Sequence, residues 1–410
     1  MTSAGSGFSH RPDSYQAGHE AATRALAAAG LATCDLALLL ATSRHDPHQF
    51  VAGVRAVLGP EPRLLGTYAV GVITNAEMGY DGYQGGVAVL ASSTISAALF
   101  VQPDLAGREF ACGQALAAAL AEQGETDANL LFFYDTINRA SGRLQLNQGT
   151  ALVAGMSAGF GPTGWPAASG AGIMGDMQFR LAHQWHDDEV LAGAVVGLAL
   201  GGGARLHTTT LHGCQPSSAY HTVTKAEGSV ILEIDHRPAA EVVAAIIGPD
   251  SGMGFEDYGW FITLGVNRGG DQWGEYQAET YTNRMCVGVD RKRQGLVMVE
   301  PDLVEGSRVQ LMRRAFDFTY IHAEIRRLLA DIAAQGRRPF LAFYIDCAGR
   351  AGAYSGNDEE DAHEVQKALG TIPLLGLYAG SEIGQLSTGA IAQFNWTGVL
   401  NIWSEPLSQS

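Results

Sequence analysis

Arg350 and Glu382 are the charged residues of this sequence whose settings best suit ligand chemistry. Each stands on a glycine-containing turn just past a short apolar run. Arg350 closes Cys347-Ala348-Gly349-Arg350, and Glu382 follows Tyr378-Ala379-Gly380-Ser381. A guanidinium at such a turn can grip a carboxylate with two parallel N–H donors. A carboxylate can hold an ammonium, and Tyr378 adds a ring face and a hydroxyl. The set suits a zwitterion at the strand ends where open α/β sheets bind ligands. The competing reading is a structural Arg350–Glu382 pair pinning two loops. Cys347 is either a thiol whose thiolate Arg350 favours or a core residue.

Other residues invite other chemistry. His212 and Cys214 stand at a strand end before Pro216, either as axial ligands of a haem iron or as a backbone-satisfied junction. His183 and His186, beside Asp187 and Asp188, read as a polar hairpin turn rather than a metal site. Gly155-Met156-Ser157-Ala158-Gly159 matches the GxSxG nucleophile elbow of hydrolases. The elbow needs a strand before the serine and a helix after it. The strand is expected here, but Phe160-Gly161-Pro162-Thr163-Gly164-Trp165-Pro166 cannot be the helix. Gly201-Gly202-Gly203 follows a strand with no helix behind it, so it is no dinucleotide fingerprint. The acids at 358–361 open a helix and complement its dipole.

The elements that must position these residues show an internal repeat. LALLLATS (36–43), LLFFYDTI (130–137) and FLAFYIDC (340–347) are similar apolar runs. Each precedes a second run with a glycine turn: LLGTYAVG (64–71), LVAGMSAG (152–159) and LLGLYAGS (374–381). Residues 46–58 and 357–369 read as the intervening helices of the first and third copies. That register aligns Ser157 with Tyr68 and Tyr378. Strand–helix–strand units of this kind build sheets flanked by helices, so the fold class is mixed α/β with two related domains. The first dozen residues are polar and expected to be disordered. Residues 15–29 read as a helix capped by Asp13 or Ser14 and closed by Gly30. Strands are expected at 191–200, 204–211, 220–225, 229–234, 285–289, 296–299 and 308–314, and helices at 238–247 and 318–335. The domains are then a tail and helix (1–29), an N-terminal domain (30–247) and a C-terminal domain (253–403), with a linker at 248–252.

Composition excludes several partners. A net charge of −16 argues against nucleic acid, whose affinity rests on Lys and Arg meeting phosphates. Five scattered cysteines without a CxxC pair exclude a zinc ribbon and a disulfide framework. The apolar stretch 190–204 falls short of the roughly 20 residues of a membrane span. The N-terminus does not read as a signal peptide, so a cytoplasmic location is expected.

Three stretches of this sequence resemble the FIST family of sensory proteins in order and spacing. They are Gly66-Thr67-Tyr68-Ala69-Val70-Gly71 with Gly85–Leu90, His212-Gly213-Cys214-Gln215-Pro216 with Thr222–Ala226 and Ile231–Asp235, and Asp346–Arg350 with Gly376–Gly384 and Phe394-Asn395-Trp396-Thr397. The resemblance covers roughly residues 30–403. It implies a stand-alone, non-enzymatic signal-transduction module that binds an amino-acid-like ligand and signals through a partner such as a histidine kinase. It adds Asp346, Cys347 and Asn395 to Arg350, Tyr378 and Glu382 as ligand-binding residues. Where the family carries a Glu after its first glycine turn this sequence has Val72 and Ile73, which places the expected site in the C-terminal half. The resemblance implies no cofactor, with haem as the alternative: a stand-alone subgroup senses nitric oxide through haem, for which His212 and Cys214 are the candidates. Hydrolysis by Ser157 is the remaining alternative.

Overall fold

The computed structural model describes residues 1–122, 128–138, 145–161, 164–248, 263–269, 271, 273–314, 317–355 and 359–407. Its plan is one strand–helix unit used three times. The first unit runs β1 (Ser3–Ser9), α1 (Ser14–Ala29), β2 (Leu36–Ala41), α2 (Pro47–Leu58), β3 (Arg63–Tyr68), the hairpin β4 (Gly71–Thr74) and β5 (Met78–Tyr80), and β6 (Gly85–Ala91). The second runs β7 (Ala97–Gln102), α3 (Glu109–Glu122), β8 (Asn129–Asp135), a small β9 (Ile137–Asn138) and β10 (Gln145–Leu146) pair, and α4 (Gly149–Phe160). It continues through β11 (Ala168–Ile173), the hairpin β12 (Gln184–His186) and β13 (Glu189–Leu191), and β14 (Val195–Leu200).

The third unit opens with β15 (Arg205–Leu211) and is interrupted by an inserted module. The module comprises β16 (Cys214–Pro216), β17 (His221–Glu227), β18 (Val230–Ile234), β19 (Arg237–Pro238), α5 (Ala239–Ile247), β20 (Thr263–Asn267), β21 (Tyr281–Asp290), β22 (Gly295–Met298) and β23 (Arg308–Arg314). The unit resumes with α6 (Thr319–Ala334), β24 (Arg337–Cys347), the short α7 (Gly352–Ser355) and α8 (Asp361–Leu369). It ends with β25 (Leu374–Ala379), the hairpin β26 (Ser381–Gln385) and β27 (Ile391–Phe394), and β28 (Gly398–Pro406).

Three six-stranded sheets follow, in the orders β1-β6-β2-β3-β12-β13, β7-β14-β8-β11-β26-β27 and β15-β28-β24-β25-β4-β5. In each, a central strand pairs parallel with the next long strand of its unit and antiparallel with the unit's return strand. The hairpins are exchanged cyclically. The first unit's hairpin adds to β25, the second's to β3 and the third's to β11. Strands from either side of residue 248 therefore share sheets, and residues 249–252 of the expected linker lie outside the described residues. The inner faces of the sheets meet in one core, with the Phe133 and Phe343 rings 5.7 Å apart. Strands buried on both faces read as unbroken apolar runs, which is why these stood out in the sequence.

Two expectations are corrected. The first residues are not disordered: β1 pairs with β6 from Ser3↔Ala91 to Ser9↔Gly85. The strand is small and polar because α1 lies directly on it; a Cβ at Gly7 would stand 2.2 Å from the Ala21 carbonyl oxygen. The second correction is the middle repeat. Residues 152–159 are not a strand and turn but lie within helix α4, and the true strand of that copy is β11. Register pairs Tyr68 with Ala41, Gly172 with Tyr134 and Tyr378 with Asp346, so Gly172 rather than Ser157 is the equivalent of the two tyrosines.

The glycines of the GxSxG match serve helix packing. A Cβ at Gly155 would stand 2.0 Å from the Phe110 carbonyl oxygen of α3. The first unit solves the same contact alike: a Cβ at Gly53 of α2 would meet the Tyr15 carbonyl oxygen of α1 at 2.0 Å. The third unit does not. There α6 meets α8 through polar side chains, among them His322 Nε2 and Glu364 Oε2 at 2.5 Å. The other expected elements lie close to their places. Asp13 caps α1 by accepting from the Gln16 amide, and Gly30 closes it at φ +66°. His186 ends β12 and Asp187 and Asp188 form the β12–β13 hairpin turn, and among the described residues no cluster of three metal-ligating side chains forms. Among the described residues no helix is long and apolar enough to cross a membrane.

Candidate functional site

The strand ends of the third unit hold the residues expected to bind ligand. β24 ends in Asp346 and Cys347, and a 3-10 turn carries Arg350 back into the interior. Arg350 is 1% exposed. Its Nη2 lies 2.8 Å from Asp361 Oδ2, and its Nε lies 3.3 Å from Asp346 Oδ1. Its Nη1 donates to the carbonyl oxygens of Leu211 and Trp396, both at 2.9 Å. Arg314 also pairs with Asp361. Burial works against the Arg350 cation, but the Asp361 and Asp346 carboxylates outweigh it and raise its pKa.

Glu382 does not pair with Arg350. Its Oε2 accepts from the Thr397 amide at 3.2 Å, and Oε1 has no hydrogen-bond partner among the described residues. Burial pushes its pKa well up, with the Asp346 charge adding to it. Burial likewise pushes Asp346 up to about 7 despite Arg350. Burial and nearby Glu382 raise the Cys347 thiol, so it is no thiolate. The Tyr378 hydroxyl donates to Glu360. Asn395 accepts from the Met285 amide at 3.2 Å and donates to the Phe394 carbonyl at 3.0 Å. All six residues thus share one interior region, and their polar groups mainly face protein.

His212 and Cys214 are buried as well. His212 Nε2 lies 2.9 Å from the Ala278 carbonyl oxygen, and Nδ1 accepts from the Cys214 amide at 3.0 Å. Burial lowers its pKa to about 4 and raises that of Cys214 to about 11, leaving a neutral ring and a protonated thiol. Neither ring nitrogen of His212 has a lone pair to spare, so the ring as placed does not fit a haem iron. Ser157 lies inside α4, where its hydroxyl accepts from Trp165 Nε1 at 2.9 Å. That geometry is not a nucleophile elbow.

The open strand ends belong to the first unit. A cavity of 320 Å³ lies past β2, lined by Thr42, Ser43 and Arg44, by Val70 between β3 and β4, and by Asp81 and Gly82. The second unit contributes residues 175–178 and Arg180, and the third contributes Tyr354. All three units meet at this cleft. Ser43 donates to Asp176 Oδ2 at 2.8 Å, and the Tyr354 hydroxyl donates to Asp81. Arg180 stays close to Asp176, at 3.5 Å, and donates to Gln178 at 2.6 Å. Arg44 is exposed and makes no ion pair with a described residue. A guanidinium with no ion pair to a described residue, lining one cavity with carboxylates, is the combination expected at 350 and 382, displaced to another copy of the repeat. The rule of ligands at strand C-terminal ends, applied to the first copy, would have pointed to Arg44.

Comparison with known proteins decides the family. Residues 35–237 match the FIST N domain and residues 239–385 the FIST C domain. The chain belongs to the FIST family. FIST domains are small-ligand-sensing modules of signal transduction. An uncharacterised protein of Mycobacterium bovis is 27% identical to this FIST chain over 243 residues, 58% of the chain and 57% of that protein. An uncharacterised Mycobacterium tuberculosis protein is 27% identical over 207 residues, 50% of the chain and 52% of that protein. The chain thus matches little more than half the length of these curated relatives. Two solved structures align along nearly all of the chain at 10% identity. They are a cyanuric acid hydrolase from A. caulinodans (TM-score 0.37, 99% of this chain and 100% of that one) and a chorismatase (TM-score 0.34, 98% of each). Likenesses at this level carry no argument about this FIST chain.

Proposed function

We propose that this chain is a cytoplasmic sensor that binds an amino-acid-like zwitterion in the three-unit cleft and reports its occupancy to a partner kinase. The observation that carries the reading is Arg44, a guanidinium without an ion-pair partner among the described residues, in one cavity with Asp81 and Asp176. Arg44 takes the ligand carboxylate through paired N–H donors. Asp81 and Asp176 face its ammonium, and Tyr354 limits its length. The chain acts by binding rather than catalysis. Because the cleft joins all three units, a bound ligand changes how firmly they are held together, which is what a partner reads.

Thermal unfolding against a panel of amino acids tests this. A ligand present at about 100 times its Kd adds about 2.7 kcal/mol to stability. At least one amino acid is expected to raise the melting temperature by a few degrees, and Arg44→Ala to remove that shift without lowering the unliganded value. The idea fails if no amino acid stabilises the protein, or if the shift survives in Arg44→Ala.

A further inference from the structure

A second cavity, of 220 Å³, lies on the seam between the inserted module and the three-unit core. Thr209 of β15 and Tyr320 and Glu324 of α6 line it from the core, Tyr276 and Glu279 from the module. Asp317, just before α6, stands with them. Its charge pattern differs from that of the first cleft: three carboxylates line it, and no lysine or arginine is among its lining residues.

Two of these groups have no structural employment. Thr209 is 7% exposed, yet its hydroxyl has no hydrogen-bond partner among the described residues. The oxygen itself keeps some exposure, so water or a ligand can meet it at the cavity that Thr209 lines. The Glu279 carboxylate makes no ion pair or hydrogen bond with a described residue; only its backbone oxygen is used, by Ser387. By contrast Asp317 accepts from the Thr319 amide at 2.9 Å at the start of α6, and Glu324 holds Arg327 at 2.8 Å. The two tyrosines are fixed by their hydroxyls, Tyr276 on the Cys214 carbonyl and Tyr320 towards Asp361 at 3.4 Å. A tyrosine ring presents a negative face that attracts cations. His212, also lining the cavity, is engaged at both nitrogens and adds no charge.

We infer that this seam binds a small primary or secondary amine as its ammonium ion. The ammonium sits between Glu279 and the Thr209 hydroxyl, with its apolar part against Tyr276 and Tyr320. The ligand touches module and core together and so tightens the docking of one on the other.

Isothermal titration of the full chain at low salt with 2-phenylethylamine and butylamine tests it, with 2-phenylethanol and 3-phenylpropanoate as neutral and anionic controls. Saturable one-to-one binding is expected for at least one amine and for neither control. Glu279→Gln is expected to weaken it about tenfold or more, and Thr209→Val several-fold, with melting temperatures close to wild type. Arg44→Ala, which disables the first cleft, is expected to leave amine binding unchanged. The inference is overturned if neither amine binds saturably, if both controls bind as well as the amines, or if Glu279→Gln binds as tightly as wild type. Loss of amine binding in Arg44→Ala would also overturn it.

Discussion

Arg350 shows how a residue can be right in chemistry and wrong in exposure. Its turn, its neighbours and its charge all suited a ligand carboxylate, but the carboxylates it meets are Asp361 and Asp346. A buried cation needs such partners, because leaving water unpaired costs far more than a lost ligand contact. The same burial makes Asp346 a proton holder with a pKa of about 7, against 3.8 ordinarily. Between those values the folded chain keeps a proton that the unfolded chain has released, so this group's contribution to stability falls as pH rises from about 4 to 7. Asp346→Asn removes that titration. The stability difference between the two is therefore expected to move in the variant's favour as pH rises across that window, by on the order of 2 kcal/mol. His207 and His212, both lowered to about 4 by burial, act oppositely there, because the unfolded chain takes up their protons below its ordinary histidine pKa. They are common to both proteins and cancel in the difference. Denaturant melts at pH 4 and 7.5 measure it, and a pH-independent difference would show that Asp346 is ionised throughout.

At the scale of elements, the contrast lies between helix pairs. The α1–α2 and α3–α4 pairs touch through glycines, so their backbones approach more closely than any side chain allows. Gly53→Ala places a methyl 2.0 Å from a carbonyl oxygen and is expected to cost about 2 kcal/mol or more. Gly288→Ala in β21 is the control: nothing lies within 4 Å of the added methyl and its φ is unstrained, so melting should change little. Equal effects of the two would show that α1 and α2 can separate at no cost. The GxSxG match belongs to this class. Ser157 lies between two glycines selected by helix packing, and one-dimensional spacing cannot distinguish that from an elbow.

The whole molecule is held by exchange. Each unit lends its hairpin to another unit's sheet, and β15 pairs with β28 near the other end of the chain from Arg205↔Ser404 to Leu211↔Gly398. The module is tied in too, where Glu300 accepts from the Gly149 and Thr150 amides at 3.3 Å and so caps α4. A fragment ending at Gly248 would leave β3 its hairpin but strip β4 of β25, β11 of β26 and β15 of β28. New edges of that kind expose unpaired backbone groups and invite pairing with another chain. The fragment is expected to lack a cooperative thermal transition by circular dichroism; a sharp transition near that of the full chain would contradict the exchange. The sequence by itself determined many of the strands, most of the helices, the mixed α/β class and the family, because each is written in neighbouring residues as apolar runs, caps and turn glycines. It determined the repeat as well, but misplaced the middle copy, because the short apolar run 152–159 suits a strand and a buried helix alike. Only the tertiary structure decided which strand ends are open. Arg44 and Arg350 stand at similar places in similar copies. Which of them faces solvent depends on Asp361, Asp346 and the loops of the other units, far from either in sequence or on another element, and those contacts exist only once the three units have closed on one another.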